Sequence, residues 1–258
     1  AGTLQVGNGG TAGTLGTGAV NVSGTLAFNR SDDVTVSNDI AGTGGLQQTG
    51  LSTLTLTGAQ TYTGSTNTGS VGSHLVYVNN TVPTTSGFTG SGSVVIEPLA
   101  NASFAAALNT SRYTFANTLS ELTLGHAANT ADITLGAALS IAGDVTLVGG
   151  SLNGTYNIAL ADDRTLTLSS TASSLFSGVI SGTRASVVKT GAGTLVLTGT
   201  NTYTGTTTVD AGGTLQLGNG GTTGSLSTSG VTNNGSLVFN LGADSTIGYD
   251  ISGSGGVT

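Results

Sequence analysis

Leu195 and Leu197 stand between Thr194, Val196 and Thr198, and the same two-residue beat recurs along the chain. It returns at Leu215 and Leu217 and at Leu237 and Phe239. Toward the other end it appears at Leu4 and Val6, Leu26 and Phe28, and Leu54 and Leu56. A period of two sends alternate side chains to opposite faces, so each segment predicts a short strand with these apolar residues in a core. Thr is β-branched and suits the outward positions, where its hydroxyl keeps the surface wet without charge. A corner rich in Gly and Asn follows each strand, GTNTYTG after Thr198 and GNGGTTG after Leu217, because both residues tolerate positive φ. A shorter strand is expected at Thr207–Asp210.

The beat belongs to a longer repeat. Ala1–Gly45 aligns without a gap on Gly212–Gly256, with about half of the positions identical, far above chance even in a Gly/Thr-rich chain. TLTLTGAQTYTG (Thr53–Gly64) pairs with TLVLTGTNTYTG (Thr194–Gly205). Inside this cassette GTLVL begins at Gly193, GTLQL at Gly213 and GSLVF at Gly235. That spacing of about twenty residues is the range of stacked solenoid coils. Leu195 then lies over Leu215 and Leu237, and the stacked aliphatics bury a core that one coil alone does not. Helix signals are too scarce for a leucine-rich repeat. A propeller repeats near forty residues with Trp-Asp punctuation, and Trp is absent. A sandwich gives no gap-free repeat of this length. The fold expected is an all-β, right-handed parallel β-helix of about twelve coils, a rod near 60 Å long at roughly 4.8 Å per coil.

Three regions are expected in one continuous solenoid: a cassette at 1–70, divergent coils at 71–175 and a second cassette at 176–258. The middle still alternates in HLVYVNN, SVVIEP, ELTLGHA and RTLTLSS. Ser103–Leu108 carries the one short run of helical propensity, expected as a turn or capping insertion, and Pro83 and Pro98 suit loops. The chain opens on AGTLQVGNGG and closes on SGSGGVT, both in mid-repeat and without a charged or Pro-rich cap. It therefore reads as a fragment of a longer protein, its edge coils met by adjoining coils of the same chain or by end-to-end copies.

Composition narrows the partners. Only 7% of residues are charged and 36% are hydrophobic, with 44 Gly and no Cys. Low charge with abundant β-branched residues argues against disorder. Five basic against twelve acidic residues leave a net charge of −7, which excludes a phosphate-neutralising nucleic-acid surface. No run of 18 apolar residues spans a membrane. The absence of Cys removes disulfides and thiolate metal sites.

Candidate chemistry is sparse. A lyase or hydrolase site on a β-helix needs clustered carboxylates beside a basic residue, which directs attention to Asp162, Asp163 and Arg164 and to Arg30, Asp32 and Asp33. Both triplets sit beside corners and read better as loop solvation. His74 and His126 lack ligand spacing. A nonapeptide calcium loop requires GGxGxD, whereas Gly9–Gly13 reads GGTAG and Gly220–Gly224 reads GGTTG. Outward Thr53, Thr55 and Thr57 suggest a flat Thr array of the ice-binding kind, which irregular coil lengths would spoil. The sequons at Asn101 and Asn109 arise readily by chance in so Asn/Ser/Thr-rich a chain. No catalytic, cofactor-binding or metal residue is assigned, and the chain is read as neither an enzyme nor a cofactor carrier.

FSGVISGTRASVVKTGAGTLVLTGTNTYTGTTTVDAGGTLQLGNGG resembles the autotransporter-associated β-strand repeat of bacterial passenger domains and large surface adhesins. ELTLGHAANTADITLGAALSIAGDVTLVGGSL (Glu121–Leu152) is similar to filamentous-haemagglutinin-like exoproteins of two-partner secretion. The resemblance implies an exported right-handed β-helix, secreted or on the bacterial cell surface, that serves as a stalk, adhesin or filament segment. The alternative is a binding module whose middle region recognises a host or matrix glycan or another copy of itself. An exposed groove lined by Tyr77, Phe104, Tyr113 and Tyr156 would favour that module. Burial of those rings would favour the plain stalk.

Overall fold

In the computed structural model, which describes residues 2–258, the chain is an all-parallel β-solenoid of about 12 turns, the β-helix class expected. It divides into two compact units. The first holds residues up to Ala106 together with Ser111–Asn129, and the second holds Ala107–Thr110 and Thr130–Thr258.

In the first unit one ladder runs through Thr25–Phe28, Gly45–Gln48, Thr66–Asn67 and Gly87–Thr89, and another through Thr53–Leu56, His74–Val78, Ser93–Glu97 and Glu121–Leu124. A shorter ladder, Val20–Val22, Ile40–Gly42 and Gln60–Tyr62, forms a third wall. The second unit is built alike. Ile133–Leu135, Leu152–Gly154, Ser174–Phe176, Thr194–Leu197, Thr214–Leu217 and Ser236–Phe239 follow one another in one ladder, and Thr165–Ser170, Ser186–Thr190, Thr206–Val209 and Gly230–Asn233 in another. Coil lengths vary while register holds: His74 pairs with Ser93, 19 residues on, and Ser93 with Glu121, 28 residues on. Strands keep their alternation, and corners absorb the difference.

The alternation dictates the core. Leu195 pairs with Leu215 and Leu215 with Leu237, all buried, and Leu197, Leu217 and Phe239 stack beside them. Val6, Leu26, Phe28, Leu54 and Leu56 are buried as expected. Two positions of the expected core differ. Leu4 is in register with buried Leu26, yet it is 59% exposed because Thr3–Val6 is the outermost strand of its ladder and has a neighbour on one side only. Phe239 is only half-buried, since the strand beyond it, Gly256–Val257, pairs with Ser236 and Leu237 and stops short of it. Ser103–Leu108 forms no helix; its corner is pinned by Asn129, whose Oδ1 accepts hydrogen bonds from the Phe104 N–H (3.3 Å) and the Ser103 hydroxyl (3.0 Å).

Close stacking explains the corner glycines. A Cβ on Gly44 would lie 2.2 Å from the Gly24 carbonyl oxygen one coil below, and one on Gly235 would lie 2.3 Å from that of Gly213. No side chain fits there.

Candidate functional site

The polar residues of the cassette turn inward. Tyr62 and Tyr203 hold the same cassette position, and both are buried. Each phenol hydrogen-bonds a threonine hydroxyl four residues on, Tyr62 to Thr66 and Tyr203 to Thr207, both at 2.6 Å. Thr66 and Thr207 are fully buried, so these threonines line the core. In the first unit the motif extends, because Tyr77 also bonds Tyr62 and Thr66, and Thr85 bonds Thr66. Burial pushes the Tyr62 phenol up to about 12 and raises those of Tyr77 and Tyr203 well above the ordinary value.

A second device occupies the corner before each cassette strand. Gln48 donates to the Ser52 carbonyl, and its counterpart Lys189 donates to the carbonyls of Thr190 and Gly191, the latter at 2.8 Å. Lys189 has no exposed surface. Its desolvation outweighs the attraction of Asp210 and lowers the ammonium to about 8. Below pH 8 both states carry the proton and the buried cation is a liability. Between 8 and about 10.5 only the unfolded chain keeps it, so stability rises with pH. Urea unfolding should show a gain on the order of 2 kcal/mol from pH 8 to 10. Lys189→Gln, which installs the residue of the other copy, should flatten that rise. A rise that persists in the variant would refute the assignment.

The carboxylates are spent on the scaffold. Asp33, Asp39, Asp132 and Asp144 each accept the backbone N–H of a residue about one coil later, at 2.7–2.8 Å, from Thr53, Ala59, Ser151 and Thr165. Arg30 is 8% exposed and grips both oxygens of Asp32 at 2.9 Å while donating to the carbonyls of Thr11 and Gly13. Its hydrogen bond holds the Asp32 carboxyl below the usual range. Arg30 thus closes the GNGGTAG corner, and Leu241 takes its place in the second copy. At the other triplet the partner of Asp163 is Arg184 from the next coil, at 2.6 and 2.8 Å; Arg164 makes no ion pair with either aspartate, among the described residues. Hydrogen bonding to Arg184 likewise lowers the Asp163 carboxyl. Neither triplet combines an unengaged carboxylate with a neighbouring base.

His74 bonds the Ser93 hydroxyl through Nδ1 at 2.8 Å, and His126 shapes its own corner by accepting the Ala128 N–H at 3.0 Å. No group of three or more His, Cys, Asp or Glu placed to hold a metal occurs among the described residues. Thr53 is flanked in its ladder by His74, and Thr55 by Val76, so the threonine array is not continued in the next coil. Tyr77, Phe104 and Tyr113 are buried, Tyr77 and Tyr113 packing on Phe88 at 5.8 and 5.7 Å between ring centres, and Tyr156 alone of the four rings is exposed. Sequence reasoning missed the Tyr–Thr and Gln/Lys elements inside the solenoid; their signal was recurrence at one cassette position in both copies.

The family described as passenger-associated-transport-repeat matches residues 46–67 and 187–217. These are the two stretches that carry Gln48 or Lys189, the Leu-x-Leu strand and the Tyr–Thr pair. The match and the fold together support a passenger-repeat-like architecture. No curated protein and no solved structure matches the chain.

Proposed function

We propose that the chain is a structural solenoid segment, a stalk or passenger, of a secreted bacterial surface adhesin or extracellular filament. The observation that carries this reading is the inward use of the repeat's polar signature. In both matched stretches the Tyr–Thr pair and the Gln or Lys donor satisfy one another or the nearby backbone within a single coil, turned inward, and little of the repeat is left to display chemistry. Burial of Tyr77, Phe104 and Tyr113 supports the stalk over a recognition face in the middle region. The partners of such a segment are adjoining coils or end-to-end copies of itself, and its place is the exterior of the cell.

Protease shaving of intact source cells, followed by immunoblotting for this segment, tests the reading. The segment should be released into the medium or cleaved at the surface without lysis. Full protection in intact cells, with cleavage only after lysis, would overturn it.

A further inference from the structure

Three consecutive corners of the first unit, Ser23–Gly24, Thr43–Gly44 and Gly64–Ser65, form the floor of an open trough of about 430 Å³. The stacked glycines keep that floor bare, since a Cβ on Gly64 would lie 2.4 Å from the Gly44 carbonyl oxygen just as one on Gly44 would meet Gly24. One wall is an amide ladder in which Gln47 pairs in register with Asn67, and Thr25 and Thr89 complete the rim.

The lining has an unusual chemical balance. No charged side chain contributes to it, and Leu46, its one large apolar residue, is buried. Among the described residues, the side chains of Ser23, Thr25, Thr43, Gln47 and Ser65 make no hydrogen bond within the protein, so each offers its polar atoms outward. Asn67 is oriented in advance. Its Oδ1 accepts the Gly69 N–H at 2.8 Å, which leaves the amide N–H pair for a ligand.

We propose that this trough binds a neutral oligosaccharide lying across the stacked corners. Sugar hydroxyls both donate and accept, and they match a lining of hydroxyls and primary amides. A phosphate or uronate finds no countercharge, and an apolar peptide finds no surface to bury against. The bare glycine floor lets a pyranose ring approach the backbone closely. With no aromatic platform, affinity for a single segment is weak, in the millimolar range. None of the four rings considered for the middle region lines this trough, and the proposal stands independently of the export reading.

Amide-detected NMR of the whole 258-residue chain, titrated with maltohexaose, cellohexaose, chitohexaose and, as charged probe, trigalacturonate, tests the site. At least one neutral sugar should shift the side-chain amides of Gln47 and Asn67 saturably. Gln47→Ala and Thr43→Val should each weaken that binding about three- to tenfold, the worth of one hydrogen bond, without moving the melting temperature. Saturable shifts with no neutral sugar, shifts confined to other residues, unchanged binding by both variants, or tighter binding of trigalacturonate would overturn the proposal. Its failure would leave the cell-surface experiment unaffected, because that reads location alone.

Discussion

Raising the pH from 10 to 12 should unfold this protein cooperatively. Phenols in the unfolded chain ionise near pH 10. Burial pushes Tyr62 and Tyr113 up to about 12, and raises Tyr77 and Tyr203 well above the ordinary value too. Below pH 10 both states keep these protons and the hydroxyl network contributes in full. Between 10 and 12 the unfolded chain releases them while the folded one does not, so stability falls as pH rises. For Tyr62 and Tyr113 together the loss at pH 12 is about 5 kcal/mol, comparable to the total stability of many domains. Tyrosinate absorbance should therefore appear in one step, together with loss of the β-sheet circular dichroism. Gradual titration near pH 10 with the dichroism intact would refute the burial argument. Tyr203→Phe supplies a control: it should cost about 1 kcal/mol at neutral pH, where it strands the Thr207 hydroxyl, and soften the alkaline loss. Combined with the Lys189 effect, the stability profile should peak near pH 10.

Truncating Leu215 should produce a large loss of stability at neutral pH. It is fully buried between Leu195 and Leu237, and its neighbours are fixed by ladder hydrogen bonds on both sides, so the cavity cannot readily collapse. Leu215→Ala should cost about 2–5 kcal/mol by chemical denaturation. Leu215→Asp should abolish folding of the second unit, because a buried carboxylate has no partner there. Leu4 holds the same cassette position at the open edge of its ladder, and Leu4→Ala should cost less than about 0.5 kcal/mol. Equal losses at Leu4 and Leu215 would contradict the stacking account.

That pair of leucines also shows what the alternation could and could not reveal. The period of two identified strands, inward faces and the register of Leu195 on Leu215 on Leu237, because a parallel ladder of near-equal coils places like on like. It carried no information on how many neighbours a strand has, so Leu4 and Leu215 looked alike. Threonine was harder. Thr55 and Thr66 are the same residue in short strands a few positions apart, yet one is half-exposed and the other is buried against Tyr62. Composition does not separate them; only the tyrosine four residues earlier does. Arg30 looked like part of an acid–base cluster because sequence proximity to Asp32 and Asp33 was visible, whereas its grip on the Thr11 and Gly13 carbonyls is contact across a coil. The trough was not legible at all. It is made by corners about twenty residues apart, each unremarkable alone.

The variable coil length bears on how the chain acquires its structure. Ladder partners separated by 19 to 28 residues in a chain of 258 have a relative contact order of about 0.07–0.11. That is the range of helical bundles, although this protein is built of parallel strands, which ordinarily wait for distant segments to meet. Each new coil needs only the one before it as a template. A chain emerging from a narrow passage can therefore fold in the order in which it emerges, each finished coil resisting its return.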